Sequence, residues 1–388
     1  MDPEKVLKDI LNKVAKEQKY ENCDINFKQI SSDGANYTSY LYLATISAPD
    51  KDDLKLFVKV AAIGEKMRSV APFRIFEIES FFYRELLGIY KDLEERHMVP
   101  PEHRLVTAKF YAANDECYKE AVVLEDLTVA GYQSYDRFKC YTWEYAKSSV
   151  QNLAKLHALS IAWSICDPKA FEDSAEKLKS EQNVEPIMEY FKNVVKNAIE
   201  VTKEENKERF RKFVETISER IDFGKWQKPI RRPVVAYGDY RPSNLMHKEH
   251  EDGTIDIISV DYQTLQIGNP ILDLMYFIYC GSDKAYRKNH FKQTLEFYYS
   301  ELRAALERLD VVPDDVYPRQ DFDYEVEQTL PLGLVFSVFC LLIVTVKAED
   351  APTVNQEIEI KDFAISPSQL YTERLNDIID DFIDMGIL

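Results

Sequence analysis

Apolar and polar residues alternate through the first third of the chain, as they do in half-buried β-strands. Residues 40–46 are β-branched and aromatic, and the even positions from Leu54 to Val60 are aliphatic. Such runs predict a small β-sheet. Residues 75–89 then carry apolar side chains at steps of three and four, which predicts a helix packed on that sheet.

Helical periodicity dominates the chain after an apolar run at residues 121–124. Glu125 and Asp126 interrupt this run and separate the strand-like part from the helical part. We therefore predict an α+β protein with two lobes. Residues 1–127 would form a small N-terminal lobe, and residues 128–388 a larger, mostly helical lobe.

Two short strands are expected inside this helical lobe, at residues 234–236 and 255–260. A polar segment with a turn at Asp252 and Gly253 would join them. A charged helical stretch precedes them, roughly at residues 174–220, and the C-terminal part of the chain is helical again.

Composition limits the partners and the compartment that we expect. The 388 residues include 67 acidic against 49 basic ones, a formal net charge of -18, so the chain lacks the positive field that nucleic acid binding requires. The six cysteines are scattered, and the first residues lack the apolar run of a signal peptide, which favours a cytoplasmic protein. The uncharged residues 330–346 are shorter than the about 20 that span a membrane, so we expect a buried core helix there and no membrane span.

Two acidic residues and an amide accompany the predicted strands of the second lobe. Asp239 and Asn244 lie close together in the sequence, and Asp261 stands at the end of the next strand. Phosphoryl transfer needs such a set: one carboxylate accepts the proton of an attacking hydroxyl, while an amide oxygen and a second carboxylate hold Mg²⁺ against the nucleotide phosphates. The spacing of Asp239 and Asn244 alone is a weak signal, because it also arises by chance.

A lysine and a glutamate in the first lobe strengthen this interpretation. Lys59 lies on the strand face opposite the aliphatic one, and Glu79 interrupts the apolar face of the predicted helix. A lone carboxylate there would suffer a large desolvation cost, so we expect it to pair with Lys59. Kinases use such a pair to aim an ammonium group at phosphates. A solvated lysine and a glutamate at the helix edge are the alternative.

A polar loop at residues 31–39 lies between the first two strands, where a loop that covers phosphates would fall. Its one glycine is Gly34, so it lacks a GxGxxG cradle and would have to use side chains such as Asn36 and Ser39. An ordinary hairpin turn is the alternative interpretation.

Two further residues are expected to support the site. His157 lies on an apolar helical face, which is typical of a core histidine. Asp273 comes near the start of an apolar helix, where its carboxylate could accept backbone N–H groups of residues 237–244, which we call the catalytic loop.

Together these motifs resemble those of the insect ecdysteroid kinase-like proteins, also described as choline-kinase-like, which are relatives of the aminoglycoside phosphotransferases. The resemblance covers almost the whole chain and includes Lys59 and residues 76–83, 124–127, 153–160, 237–244, 261–263 and 270–274. It implies a protein-kinase-like fold that uses ATP and Mg²⁺, with Asp239 as the catalytic base and Asn244 and Asp261 as metal ligands. Lys59 would contact the nucleotide phosphates, so residues 1–127 would form the nucleotide-binding lobe and residues 128–388 the lobe for catalysis and substrate binding.

The resemblance also assigns a hinge and a substrate class. The segment from Glu125 to Leu127 would contact adenine, and the implied substrate is a small hydrophobic alcohol, with ecdysteroid hormones as the named example. One position departs from the family, because its usual His-Gly-Asp reads Tyr237-Gly238-Asp239 here. A tyrosine hydroxyl could take over the orienting role of that histidine, which does not itself accept the proton; reduced activity is the other outcome.

Three functions stay open on the sequence alone: a kinase for an apolar alcohol, a kinase for a cationic alcohol such as choline or ethanolamine or for a xenobiotic, and a non-catalytic binding protein on a kinase scaffold. The acidic balance favours a cationic substrate. Against that, six aromatic residues could line an apolar pocket or belong to the core: Tyr141, Trp143, Tyr145, Tyr276, Phe277 and Tyr279.

Overall fold

The computed structural model describes residues 2–34, 36–70, 74–179, 184–220, 229–363 and 365–388. Its first lobe contains a five-stranded antiparallel sheet in the order β1-β2-β3-β5-β4. The elements of this lobe are α1 (Pro3–Glu17), β1 (Asp24–Ile30), β2 (Ser39–Ala48), β3 (Lys51–Ala61), α2 (Glu65–Val70), α3 (Ile75–Phe81), a π-helical turn (Phe82–Leu86), α4 (Leu87–Arg96), β4 (Phe110–Asn114) and β5 (Ala121–Glu125).

The two faces of the sheet meet different surroundings. The aliphatic side chains of β3, among them Leu56 and Val58, pack with the apolar face of α1 in one buried cluster. Lys59 and Phe57 project from the opposite face into the cleft between the lobes. The alternation along this strand therefore separates a packing face from a face that is open to a ligand.

The second lobe is mainly helical. Its helices are α5 (Trp143–Cys166), α6 (Pro168–Lys177), α7 (Val184–Val201), α8 (Glu204–Arg220), α9 (Pro270–Gly281), α10 (Lys284–Arg308), α11 (Pro313–Val316), α12 (Arg319–Thr345) and α13 (Gln369–Asp384). The charged stretch predicted at residues 174–220 falls into α6, α7 and α8, and its residues 180–183 lie outside the described residues.

Short strands in this lobe pair differently from the prediction. They are β6 (Gln133–Ser134), β7 (Val234–Ala236), β8 (Leu245–Glu249), β9 (Ile255–Ser259) and β10 (Gln266–Gly268). β9 pairs with β8, and β7 pairs with β10. The expected hairpin between residues 234–236 and 255–260 is therefore wrong, because short apolar runs do not reveal which partner they take.

Helix α12 contains the apolar segment predicted as a core helix. It begins earlier than expected, at Arg319, and continues through Pro331. In the described part of the chain it is the helix long and apolar enough to cross a membrane, and 61% of its most apolar window is buried inside the protein. This burial agrees with a core helix.

The predicted α+β architecture, with a small lobe built on a sheet and a larger, mostly helical lobe, is confirmed. β5 ends at Glu125, and a 3₁₀ turn (Leu127–Ala130) leads into the helical lobe. The division into residues 1–127 and 128–388 stays a prediction.

Candidate active site

The cleft between the lobes brings Lys59, Glu79 and Asp261 together. Lys59 Nζ lies 2.9 and 3.0 Å from the two Glu79 oxygens and 2.6 Å from Asp261 Oδ1. Lys59 is 7% exposed and Glu79 only 1%. Burial alone would lower the pKa of the Lys59 ammonium, but the charges of Asp261 and Glu79 raise it above its usual value. The lysine is therefore charged at neutral pH.

Asp261 is held in an unusual backbone conformation. Its φ of 69° lies in the left-handed region, which side chains other than glycine rarely adopt and which stores strain. The ion pair with Lys59 holds its carboxylate, and the ring of the next residue, Tyr262, stacks on Phe82 with centroids 3.5 Å apart. Phe82 begins the π-helical turn that follows Glu79. These contacts dock the Asp261 loop onto the helix of the first lobe.

The catalytic-loop residues predicted from the sequence contact one another. The amide Nδ2 of Asn244 lies 2.9 Å from Asp239 Oδ2, and Arg241 Nε lies 3.2 Å from Asp239 Oδ1. Burial raises the pKa of the Asp239 carboxyl, while Arg241, the phenol of Tyr276 and the Asn244 amide oppose that rise. The site thus holds a partly desolvated carboxylate next to a guanidinium.

Asp273 supports this loop from below, as the sequence indicates. Its two oxygens accept the backbone N–H groups of Tyr237 and Gly238 at 2.6 and 2.7 Å. His157 Nε2 lies 3.0 Å from the same carboxylate, and its Nδ1 lies 2.7 Å from the Tyr298 hydroxyl. The buried histidine is therefore satisfied within a structural network.

Tyr237 links the catalytic loop to the strand that leads to Asp261. It is fully buried, and its hydroxyl donates to the carbonyl of Val260. Gly238 follows with a φ of +84°, and a Cβ there would lie 2.3 Å from the carbonyl oxygen of Thr264. Only glycine fits this position. The phenolic group thus has a defined partner, which explains physically how tyrosine is accommodated there.

A cavity of about 530 Å³ extends from this cluster beneath the sheet, and we call it the cleft cavity. The predicted site residues in its lining are Asn36, Lys59, Glu125, Leu127, Asn244 and Asp261. Apolar side chains make up much of the remaining lining, among them Leu43, Phe57, Leu124 and Met246. Such a mixture suits a flat apolar base with a charged tail.

Two predicted site residues do not line the cleft cavity but contact residues that do. Asp239 does not border the cleft cavity itself, but its carboxylate is hydrogen-bonded to Asn244, which does. Glu79 reaches the cavity only through Lys59.

The structure places Ser39 outside the lining of the cleft cavity, and its role in binding the cofactor stays a prediction. Its side chain is 3% exposed and borders a separate cavity of about 420 Å³, on the other side of the loop. Its backbone carbonyl accepts the side-chain N–H of Asn36 at 2.6 Å, so it shapes the loop and does not face the cleft cavity. The cause is its position as the first residue of β2, where it is already part of the sheet.

The sequence reasoning missed two arginines at the site, Arg241 and Arg137. Arg241 stands two positions after Asp239 in the catalytic loop, so its proximity was a signal that could have been used. Arg137 lines the cleft cavity, but its polar contacts are with distant segments. No local pattern indicated it.

Of the six aromatic residues considered for an apolar pocket, Tyr276 is the one that adjoins Asp239. Four others are buried in the core: Tyr141, Tyr145, Phe277 and Tyr279. Trp143 stacks on His290 at 5.4 Å. The core interpretation therefore holds for most of this group.

A half-buried apolar stripe on α12 continues from Tyr276. The ring centroid of Tyr276 lies 5.5 Å from that of Phe336 in α12. Phe339 of the same helix contacts Phe191 of α7, with ring centroids 4.6 Å apart. The stripe consists of Phe336, Phe339, Cys340 and Ile343, none of which carries a charge. It was part of the segment interpreted only as core.

A comparison with protein families decides the family of the chain. The model of the ecdysteroid kinase-like family matches residues 33–311, which is more than half of the chain. The chain belongs to the ecdysteroid kinase-like family. It is therefore a small-molecule kinase, whose chemistry requires a nucleotide as the phosphoryl donor.

Solved structures resemble this ecdysteroid kinase-like protein only distantly. An ethanolamine kinase of Plasmodium vivax has a TM-score of 0.49 and 11% identity, covering 94% of this chain and 83% of that chain. The GDP complex of wild-type aminoglycoside 2'-phosphotransferase-IIIa has a TM-score of 0.44 and 8% identity, covering 97% and 98%. No curated protein sequence matches the chain. Similarity at this level does not identify a substrate.

Proposed function

We propose that this chain is a cytoplasmic, ATP- and Mg²⁺-dependent phosphotransferase that adds phosphate to a hydroxyl of a small hydrophobic molecule, such as an ecdysteroid. The observation that carries the proposal is the convergence of Lys59, Asp261 and Asn244 on one cavity, with Asp239 directly behind Asn244. The six unpaired cysteines are consistent with a reducing compartment.

ATP would enter the cleft cavity with its base against the hinge. Glu125 and Leu127 both line the cavity, and the Glu125 carboxylate is occupied by the backbone N–H of Lys109 at 2.7 Å. Recognition of adenine would therefore use the hinge backbone. The Lys59 ammonium, fixed by two carboxylates, would face the phosphates.

The donor set also fits Mg²⁺. Asp261 offers carboxylate oxygens and Asn244 an amide oxygen, and such hard oxygen donors are the ligands that Mg²⁺ prefers. The described residues contain no cluster of three or more His, Cys, Asp or Glu that could hold a metal by itself. This agrees with a cation that is completed by nucleotide phosphates, and the bound ion would neutralise charge on the transferred phosphoryl group.

Asp239 would act as the base in the transfer. The hydroxyl oxygen of the acceptor attacks the γ-phosphorus of ATP, the bond from that phosphorus to the β,γ-bridging oxygen breaks, and ADP leaves. The hydroxyl proton passes to the Asp239 carboxylate. Its hydrogen bond from Asn244 and its contact with Arg241 hold that carboxylate in place.

The α12 stripe supports a hydrophobic acceptor. Tyr276 links the Asp239 carboxylate to the ring of Phe336, so an acceptor held near the base would rest against uncharged aromatic and aliphatic groups. Burying apolar surface against them would favour a steroid-like alcohol. Aromatic rings also attract ammonium groups, so choline and ethanolamine are the competing acceptors.

A phosphorylation screen tests the proposal. The purified protein would be incubated with MgCl₂ and ATP and with ecdysteroids, sterols, plant phenolic alcohols, choline or ethanolamine, and phosphate esters would be detected by mass spectrometry. We expect an ester of a hydrophobic alcohol that requires Mg²⁺ and is absent with Asp261→Asn. Phosphorylation of choline or ethanolamine alone would overturn the acceptor class. Binding of ATP without any ester across the panel would favour a binding protein.

A further inference from the structure

The loop that covers the cleft cavity is positioned by contacts with distant parts of the chain. We call residues 31–39, of which residue 35 lies outside the description, the covering loop. Within it, the Tyr37 hydroxyl donates to the carbonyl of Gly34 at 2.6 Å, and Asn36 donates to the carbonyl of Ser39 at 2.6 Å. These local bonds shape the loop, but they do not fix it relative to the second lobe.

Arg137 makes that connection between the lobes. Its Nη2 donates to the carbonyl of Asp33 in the covering loop at 2.6 Å, and its Nη1 donates to the carbonyls of Ile343 and Val344 at 3.2 and 2.9 Å. The side chain is buried, with the residue 8% exposed, and it lines the cleft cavity. One guanidinium thus joins the first lobe to the second.

The end of α12 suits a positive charge. Ile343 and Val344 belong to the last turn, whose carbonyls have no partner further along the helix. The helix dipole also places partial negative charge at this end. Arg137 therefore occupies a site that the helix creates, and its geometry is set by the larger lobe and not by the loop.

A second connection reaches the loop from outside. Residues 347–363, which we call the strap, leave α12 and pass over the first lobe. A Cβ at Gly34 of the covering loop would lie 2.8 Å from the Cβ of Ala351 in the strap, so the two segments touch, and the rings of Phe363 and Tyr37 are 5.4 Å apart. The cavity of about 420 Å³ between the loop and the strap shows that the strap holds the loop at points rather than by continuous packing.

We infer that Arg137 is a positioning residue for the nucleotide. It holds the covering loop closed over the phosphates by bonding the Asp33 carbonyl while it is anchored on the end of α12. This contact takes the place of a glycine-rich sequence that would position the phosphates, which the loop lacks. The inference rests on the proposed use of ATP in the cleft cavity, and it adds a residue and a mechanism to that site.

Three variants test it. Arg137→Gln removes the charge and the two guanidinium nitrogens that reach both lobes, leaving one amide on a shorter side chain, and Arg137→Lys keeps the charge on a single nitrogen. Arg232→Gln is the matched control, because burial lowers the pKa of both arginines and Arg232 also bonds neutral acceptors, the Ser164 hydroxyl at 2.8 Å and the Ile161 carbonyl at 3.5 Å. Melting temperature would report any general loss of stability.

Two readouts separate positioning from stability. We expect Arg137→Gln to weaken binding of a fluorescent ATP analogue with Mg²⁺ about tenfold, Arg137→Lys to fall between it and the wild type, and Arg232→Gln to bind normally. Without nucleotide, Arg137→Gln should also speed amide hydrogen exchange in residues 31–39. Unchanged exchange in this loop would overturn the inference, as would an equal loss of binding in Arg232→Gln.

The two proposals fail in different ways. If the wild type bound no ATP, the proposed function would fall, whereas the exchange experiment would still decide whether Arg137 holds the loop. If the wild type bound ATP and Arg137→Gln bound it equally well, only the positioning role would be wrong.

Discussion

The catalytic loop at residues 237–244 and the covering loop both approach the cleft cavity, but they are held differently. The first is fixed by buried groups of its own lobe, chiefly Asp273. The second depends on Arg137 and on the strap, which lie far from it in the sequence. The residues proposed for the chemistry therefore lie in short motifs, whereas the proposed closure over the nucleotide depends on long-range contacts that no motif contains.

The largest effect should come from removing Asp239, the proposed base in the catalytic loop. Asp239→Asn keeps the shape of the side chain but cannot accept the proton, so we expect kcat to fall by about 10²- to 10⁴-fold. ATP binding should persist, because Asp239 does not line the cleft cavity. The exposed Asp92→Asn is the control, and steady-state kinetics with the acceptor from the screen are the measurement. A variant with nearly normal kcat would remove Asp239 from the mechanism.

The next largest effect should come from breaking the buried ion pair between Lys59 and Glu79. Glu79→Ala leaves Lys59 with Asp261 as its remaining carboxylate partner, and we expect a loss of about 3 kcal/mol in the free energy of unfolding. Glu77→Ala on the same helix removes an exposed pair with Arg74 and should change it by less than about 0.5 kcal/mol. Urea unfolding measures both. Equal losses in the free energy of unfolding would mean that the buried pair contributes no more to stability than the exposed one.

Arg241 allows the electrostatics of the catalytic loop to be tested by pH. Asp239 must be ionised to act as a base, so activity falls as the pH drops through its pKa, which burial has already raised. Arg241→Gln removes the main opposing charge and should raise that pKa further, moving the acid limb of kcat/KM to higher pH. At neutral pH we expect about a tenfold loss of kcat/KM. Arg211→Gln, an exposed arginine paired with Glu208, should keep the wild-type profile. If the acid limb of kcat/KM stayed in place or moved to lower pH in Arg241→Gln, the role given to Arg241 would be wrong.

Tyr237 tests how the catalytic loop is tied to the Asp261 strand. Tyr237→Phe removes the bond to the Val260 carbonyl and should lower the free energy of unfolding by about 1 kcal/mol, with a modest loss of kcat. Tyr237→His, the residue usual in the family, should remain active. The half-exposed Tyr324→Phe serves as the control. If Tyr237→Phe matched the control, this hydroxyl would have no structural role.

The smallest effect is expected at the strap. Phe363→Ala removes the ring contact with Tyr37 and should raise the KM for ATP about threefold. Lys66→Ala removes ion pairs with Glu357 and Glu359 that are exposed to solvent, so it should leave the KM unchanged. A larger effect of Lys66→Ala would mean that charge and not ring packing holds the strap.

The site residues that could be predicted from the sequence are those in local patterns and short motifs. Lys59 and Glu79 were recognisable because a carboxylate on an apolar helix face needs a cation, and the structure brings the two side chains together. Asp239, Asn244 and Asp261 follow a compact motif. Their roles in catalysis and metal binding stay predictions.

The features that escaped prediction depend on contacts between distant residues. The pairing of β7 with β10 joins runs of three residues, too short for a pattern to indicate the partner. Arg137 lies in a segment without periodicity, and its partners at Asp33 and Val344 are defined only once the lobes meet. The position of Ser39 outside the cleft cavity could not be predicted, because a sequence does not show on which side of a loop a side chain lies.

A crystal structure with Mg²⁺ and a non-hydrolysable ATP analogue tests the central claim most directly. We expect the triphosphate between Lys59 and Asp261 beneath the covering loop, the base against residues 125–127, and the cation on Asn244 and Asp261. A nucleotide bound outside the cleft cavity, or phosphates that make no contact with Lys59, would contradict the account.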